Sequence, residues 1–143
     1  MVLPDILINF AVEIISVNLY PRIILLVVMA IKIKCNLVPK GMCLNLFGLY
    51  LTPDVSMIDR HVENHERIHT AQQKELLFIP FYILYILEWL VLLCRYRNWD
   101  EAYMNVSFER EAYAHGRDLS YLSHRHHYAQ WRKEYSAQKA AAI

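Results

Sequence analysis

Glycine is scarce in this chain, three in 143 residues. Tight turns lean on glycine for positive φ, so an all-β fold built on hairpins is disfavoured and helices are favoured. Cysteine is sparse as well: Cys35, Cys43 and Cys94 are odd in number and contain no C-x-x-C pair. This argues against a disulfide framework or a cysteine-type zinc ribbon, and points to free, mostly buried thiols in a reducing compartment. No sign of charge dominates. Fifteen Lys and Arg against fourteen Asp and Glu leave a net charge of +1, which gives no whole-chain electrostatic case for a nucleic-acid partner. The start carries Asp5 and lacks the basic n-region of a secretory signal. No internal repeat is visible.

Apolar residues are abundant instead. They make up 56% of the chain, above the roughly 45–50% of ordinary soluble domains. The length suits one domain over residues 1–143, with an apolar, helical segment at 1–33 and a polar, partly disordered tail at 124–143. Two helical pieces broken near Pro21 are expected in the first segment, on the core or at a membrane. Short apolar runs at 42–47 and 49–52 flank Gly48 and read as a small hairpin. Ser56 or Asp54 would cap the following helix, and Ser107 a later one. Residues 76–94 form the most apolar run, with Glu88 its only charge. As one helix it would measure about 28 Å, close to the thickness of a bilayer core. The rival is a buried helix, kinked or restarted at Pro80.

The stretch 61–73 carries His65-Glu66-Arg67-Ile68-His69, an H-E-x-x-H pattern. Residues four apart lie on one helical face, so both imidazoles can reach one ion, and Glu66 can take a proton from water. The bland alternative is a surface helix with two His. His61 shares the face, but three His over about 12 Å of rise cannot all reach one ion with bonds of about 2.0–2.1 Å. A third ligand must come from downstream: Glu109, Glu111 or His115. The C-terminal His124, His126 and His127 read as a solvated tail.

The pair H-E-x-x-H and Glu109-Arg110-Glu111-Ala112-Tyr113 resembles the gluzincin superfamily of zinc metallopeptidases, in particular minigluzincins and CAAX prenyl endopeptidases. The resemblance implies a zincin-like α+β fold, mainly α with a small β-hairpin, having an active-site helix and a later glutamate-bearing helix. It implies Zn²⁺ on His65, His69 and Glu109, Glu66 as general base, and a peptide or protein substrate. Glu111 is the fallback ligand. Tyr113 stands where the family usually has an Asp that orients a ligand His; Glu111, Glu63 or a backbone carbonyl could substitute. The hairpin 42–52 would offer an edge strand to substrate, and Tyr113 or His115 would face the oxyanion.

A straight membrane span at 76–94 would put His69 and Glu109 about 30 Å apart, on opposite sides. A metal site therefore requires the chain to turn back around residues 78–80. The apolar face and its aromatics could still rest on a membrane surface, with the site on the cytoplasmic side; a cytoplasmic protein is the alternative. Two rival functions stand beside the hydrolase: a membrane-associated partner-binding protein, and a zincin-like domain that keeps zinc without catalysis.

Overall fold

Asp59 starts the helix on which the other elements are built. Its carboxylate accepts from the backbone N–H groups of His61 and Val62, satisfying two donors that a helix leaves unpaired at its start. The computed structural model describes residues 30–131. The expected helical pieces around Pro21 and the distal Lys/Ala tail lie outside the described residues.

Three strands precede the helix: β1 (Ile31–Lys34), β2 (Leu44–Leu46) and β3 (Leu49–Thr52). Their order is β1-β3-β2. β2 and β3 form the expected antiparallel hairpin, with Leu46 opposite Leu49. Its two loop residues, Phe47 and Gly48, both have positive φ, as a right-twisting two-residue hairpin requires. Phe47 bears that conformation against its preference. Its N–H donates to the Tyr82 hydroxyl and its ring packs on Phe78 and Tyr82. β1 corrects the sequence reading: Ile31 and Ile33 belong to a strand paired in parallel with β3, not to a helix. The chain is thus α+β, mostly helical with a small sheet.

Helix α1 (Arg60–Glu75) begins four residues later than a Ser56 start, because Asp54 caps a separate 3-10 turn at Val55–Met57. Its buried face is polar: Asn64, Glu66, His69, Thr70, Gln72 and Gln73, with Ile68 the apolar exception. Buried polar groups need partners, and here the sheet supplies several. The Asn45 side chain on β2 donates to the Glu66 carbonyl at 2.5 Å and the Thr70 hydroxyl at 2.9 Å. Gln73 donates to the Asn45 carbonyl.

The chain reverses at Leu77 and Phe78, whose φ values of 56° and 60° are costly for bulky side chains. Helix α2 (Ile79–Tyr96) follows, with Pro80 in its first turn where no hydrogen bond is lost. It ends at Arg97 in the left-handed region. Asn98 caps α3 (Trp99–Met104), which runs back along α2 with Trp99 against Trp89. Helix α4 (Ser107–His115) then packs on α1. Ser107 is not its own cap. Its N–H and hydroxyl donate to the two oxygens of Glu88, which explains the single charge in the apolar run.

Two apolar clusters flank the α1–α4 junction: Phe81, Val106 and Phe108 on one side, Ile68, Ala112 and Tyr121 on the other. Gly116 closes the junction. A Cβ there would lie 2.9 Å from the Ala112 carbonyl oxygen and 3.4 Å from His65 Cβ. Asn64 clamps the same end by donating to the carbonyls of His115, Gly116 and Asp118.

Residues 124–131, the described part of the expected polar tail, are tied to the body of the fold. After α5 (Tyr121–His124), Arg125 is held between Glu75 and Glu111, and Ala129 and Gln130 are buried in a terminal 3-10 turn. His124, His126 and His127 remain exposed, as expected. Asn64→Ala removes all three bonds of the clamp and is expected to destabilise the protein by about 1–3 kcal/mol. Chemical denaturation checks this, and an unchanged midpoint would show that the clamp is dispensable.

Candidate metal centre

The i, i+4 spacing of His65 and His69 sets their rings edge-on to each other on one face of α1, and α4 brings Glu109 to them. His65 Nε2 and His69 Nε2 lie 3.1 Å apart. The Glu109 carboxylate approaches them at 3.4 and 3.3 Å, through Oε2 and Oε1 respectively. Ligand atoms of a tetrahedral site with bonds of about 2.0–2.1 Å sit about 3.3–3.4 Å from one another. The nearest approaches are close to that edge length, although the two imidazoles meet different oxygens of Glu109; one donor atom from each residue lies within 4.8 Å of the others. They form the one cluster among the described residues that could hold a metal ion.

The buried polar atoms support the fit. Glu109 Oε2 and Glu66 Oε2 are both buried without a hydrogen-bond partner. A buried carboxylate oxygen left so is costly unless a cation meets it. Burial pushes the Glu66 carboxyl up; the adjacent imidazoles only partly offset this. Burial works against a charge on His69, but Glu109 and Glu66 outweigh it and hold its pKa at about 9. For Glu109 burial is likewise outweighed, by His69 and His65, and its carboxyl stays well below the usual range. The site thus attracts positive charge, and a metal ion binding there must displace the His69 proton.

Tautomer and ring orientation are set from behind. His69 Nδ1 pairs with Gln72 Oε1 at 2.8 Å, one turn further along α1. The Gln72 amide is itself oriented: its nitrogen donates to the Phe108 carbonyl and to Glu111 Oε2. Its oxygen therefore faces the imidazole and accepts Nδ1–H, leaving the Nε2 lone pair for a metal. Glu111, the fallback ligand, points away from the cluster. It accepts from Gln72, Tyr121 and Arg125. Glu63, another substitute considered for the orienting role, pairs with Lys32 at 2.7 Å.

Tyr113 packs edge-on against the His65 ring, with a centroid separation of 4.7 Å. Tyr85 supplies what the motif did not foretell: its hydroxyl donates to Glu109 Oε1 at 2.7 Å. Burial and the Glu109 charge push that phenol up, so it remains a donor. His115 stacks on Tyr121 and lines neither cavity at the cluster. His61 is exposed and sits at a cavity rim, outside the donor cluster. The three cysteines are free thiols, and burial together with the Glu66 charge pushes the Cys43 thiol up to about 12.

The cluster opens into a cavity of about 570 Å³ whose lining includes His65, Glu66, His69 and Glu109. Gln72, Tyr85 and Arg125 escaped the sequence reading. For Gln72 a signal existed, since i+3 from a ligand His is within reach on a helix. No protein-family model matches the chain, and the curated proteins and solved structures contain no significant match to it.

Gln72→Leu keeps the volume of the side chain but frees the imidazole tautomer. It is expected to weaken zinc affinity about 10–100-fold in competition titrations with a chelator. An unchanged affinity in the folded variant would remove Gln72 from the site.

Proposed function

We propose that the chain is a zinc-dependent hydrolase acting on peptide bonds. The observation that carries the reading is the spacing of the three donors, 3.1–3.4 Å between nearest atoms, beside a buried glutamate with an orphaned oxygen. Two imidazoles and one carboxylate suit Zn²⁺ and leave a coordination position for substrate or water. When bound, zinc supplies Lewis acidity, which polarises a carbonyl and lowers the pKa of water.

The protein's own groups do the rest. Glu66, raised by burial, takes the proton of a water attacking the carbonyl and returns it to the leaving amine. Gln72 holds His69 in one tautomer, and Tyr85 holds Glu109. β2 lies at the sheet edge, and Cys43, Leu44 and Asn45 border the cavity. An extended peptide can add to such an edge through main-chain bonds while its side chains enter the cavity.

Location is the second half of the reading. Ile79–Tyr96 is long and apolar enough to cross a membrane, with 6% of it buried. α3 lies alongside, however, and exposes Asp100 and Glu101. Acidic side chains at a bilayer centre cost about 2.5–3.5 kcal/mol each, so an interfacial position is favoured over a span. Free thiols suit a site facing the cytoplasm.

Purified full-length protein is expected to hold one zinc per chain and to cleave peptides. Glu66→Gln should keep the metal and lose about 10²–10⁴-fold in kcat. Stoichiometric zinc without any cleavage would instead indicate a zincin-like domain that has lost catalysis. Absence of zinc would remove the metal reading altogether.

A further inference from the structure

Five buried side-chain nitrogen or oxygen atoms have no hydrogen-bond partner among the described residues, and three of them belong to residues that line the cavity over the metal cluster. Two of the three, Glu66 Oε2 and Glu109 Oε2, are accounted for by a cation and an attacking water. The third is Gln73 Oε1, which neither the metal nor the proton transfer uses.

Gln73 follows His69 by one turn of α1, about 6 Å along the axis. It is wholly buried, yet it lines the cavity. Its amide orientation is fixed, because Nε2 donates to the Asn45 carbonyl of β2 at 3.2 Å, a bond that only the nitrogen can make. The oxygen is an acceptor with nothing to accept. Buried polar atoms are nearly always paired, so such an exception calls for a partner. The hydroxyls of Tyr82 and Tyr85, which also line the cavity, are bonded to the Phe47 N–H and to Glu109. A water held there would need about two to four polar partners. A ligand that brings its own apolar body needs only the one.

The lining sets what that body is. Met42, Leu44, Phe81 and Ile86 present apolar surface around about 570 Å³, room for a large side chain. Ser and Thr carry a donor without the bulk. Phe and Leu carry the bulk and leave the oxygen stranded. Lys and Arg bring a charge that a neutral amide does not balance among apolar groups. Tyr and Trp combine a flat apolar ring with one O–H or N–H, and the rings of Phe81, Tyr82 and Tyr85 offer edges and faces to pack on.

We propose that the cavity is a subsite for an aromatic side chain bearing a hydrogen-bond donor, Tyr or Trp, with Gln73 Oε1 accepting that bond. Gln73 is then a specificity-determining residue. A site built on such a bond rejects the analogue lacking the donor far more strongly than an apolar pocket rejects a missing methylene. An extended chain rises about 3.3 Å per residue, so a ring at Gln73 lies within about two residues of the bond cleaved. The position of the cut rests on the hydrolase reading; binding of the ring does not.

Binding is tested with the zinc-loaded full-length chain and three fragments, p-cresol, 3-methylindole and toluene, titrated while the Gln73 side-chain amide is followed by nitrogen-15 NMR. At least one of p-cresol and 3-methylindole is expected to bind tenfold or more tightly than toluene and to shift the Gln73 signals. Preference for p-cresol alone identifies Tyr, and for 3-methylindole alone Trp. Equal affinity for all three fragments, or binding of none, would overturn the proposal without recourse to a variant. Gln73→Leu is expected to bring the three affinities within twofold of one another, whereas loss of a merely structural role would weaken all three alike. A preference that survives Gln73→Leu would overturn the part given to Gln73. Wild type is also given peptides of one sequence that differ in a single Tyr, Trp or Phe. The Tyr or Trp peptide is expected to show at least tenfold higher kcat/KM than the Phe peptide, with the cut within two residues of the ring. Equal values would overturn the subsite as a determinant of cleavage. Cleavage of no peptide would overturn the hydrolase reading, while the fragment result stands on its own.

Discussion

A carboxylate buried between two imidazoles is the constraint from which the rest of this structure follows. Glu109 is almost wholly removed from water, and a bare charge in such a place is costly unless positive charge meets it. A proton on His69 or a metal ion on the trio can do so. α4 must therefore be held against α1 closely enough for the carboxylate to stay between the rings. Asn64, Gly116 and the Glu88 cap each serve that one junction, from three different elements.

Behind the cluster lies a second buried charge system. Arg125 bridges Glu75 at the end of α1 and Glu111 on α4, and Glu111 passes the constraint through Gln72 to His69. Breaking one partner of a buried ion pair is far more damaging than the pair is stabilising, because the remaining charge is stranded. The segment after α5 is thus part of the support of the metal centre. Glu109 and Glu111, two residues apart on α4, face opposite ways: one meets the two imidazoles, the other the Gln72 amide and Arg125 behind them.

Much of the site was legible because it is local. The four-residue spacing of His65 and His69 fixes their common face, and Pro80 marks the reversal that lets Glu109 return. Glu109, and not Glu111, is the carboxylate that the fold brings beside the two imidazoles. What escaped was non-local. β1 was hidden in an apolar run, since its identity as a strand comes from pairing with β3 across a loop and not from its own periodicity. Arg125 looked like part of a polar tail because its partners lie 50 and 14 residues away. Glu88 was visible as the lone charge in residues 76–94, but its role depends on Ser107 arriving from the far side of α3. Zinc, the reaction and the substrate are proposals argued from donor chemistry and from the lining of the cavity.

The central claim is that His65, His69 and Glu109 together hold one ion, and X-ray absorption at the zinc edge of the loaded protein tests it most directly. The expected result is four nitrogen or oxygen neighbours at about 2.0–2.1 Å with the signature of two imidazoles, one neighbour being lost or replaced in Glu109→Ala. A sulfur neighbour at about 2.3 Å, from Cys35 or Cys43 in the cavity wall, or a spectrum untouched by Glu109→Ala, would contradict it.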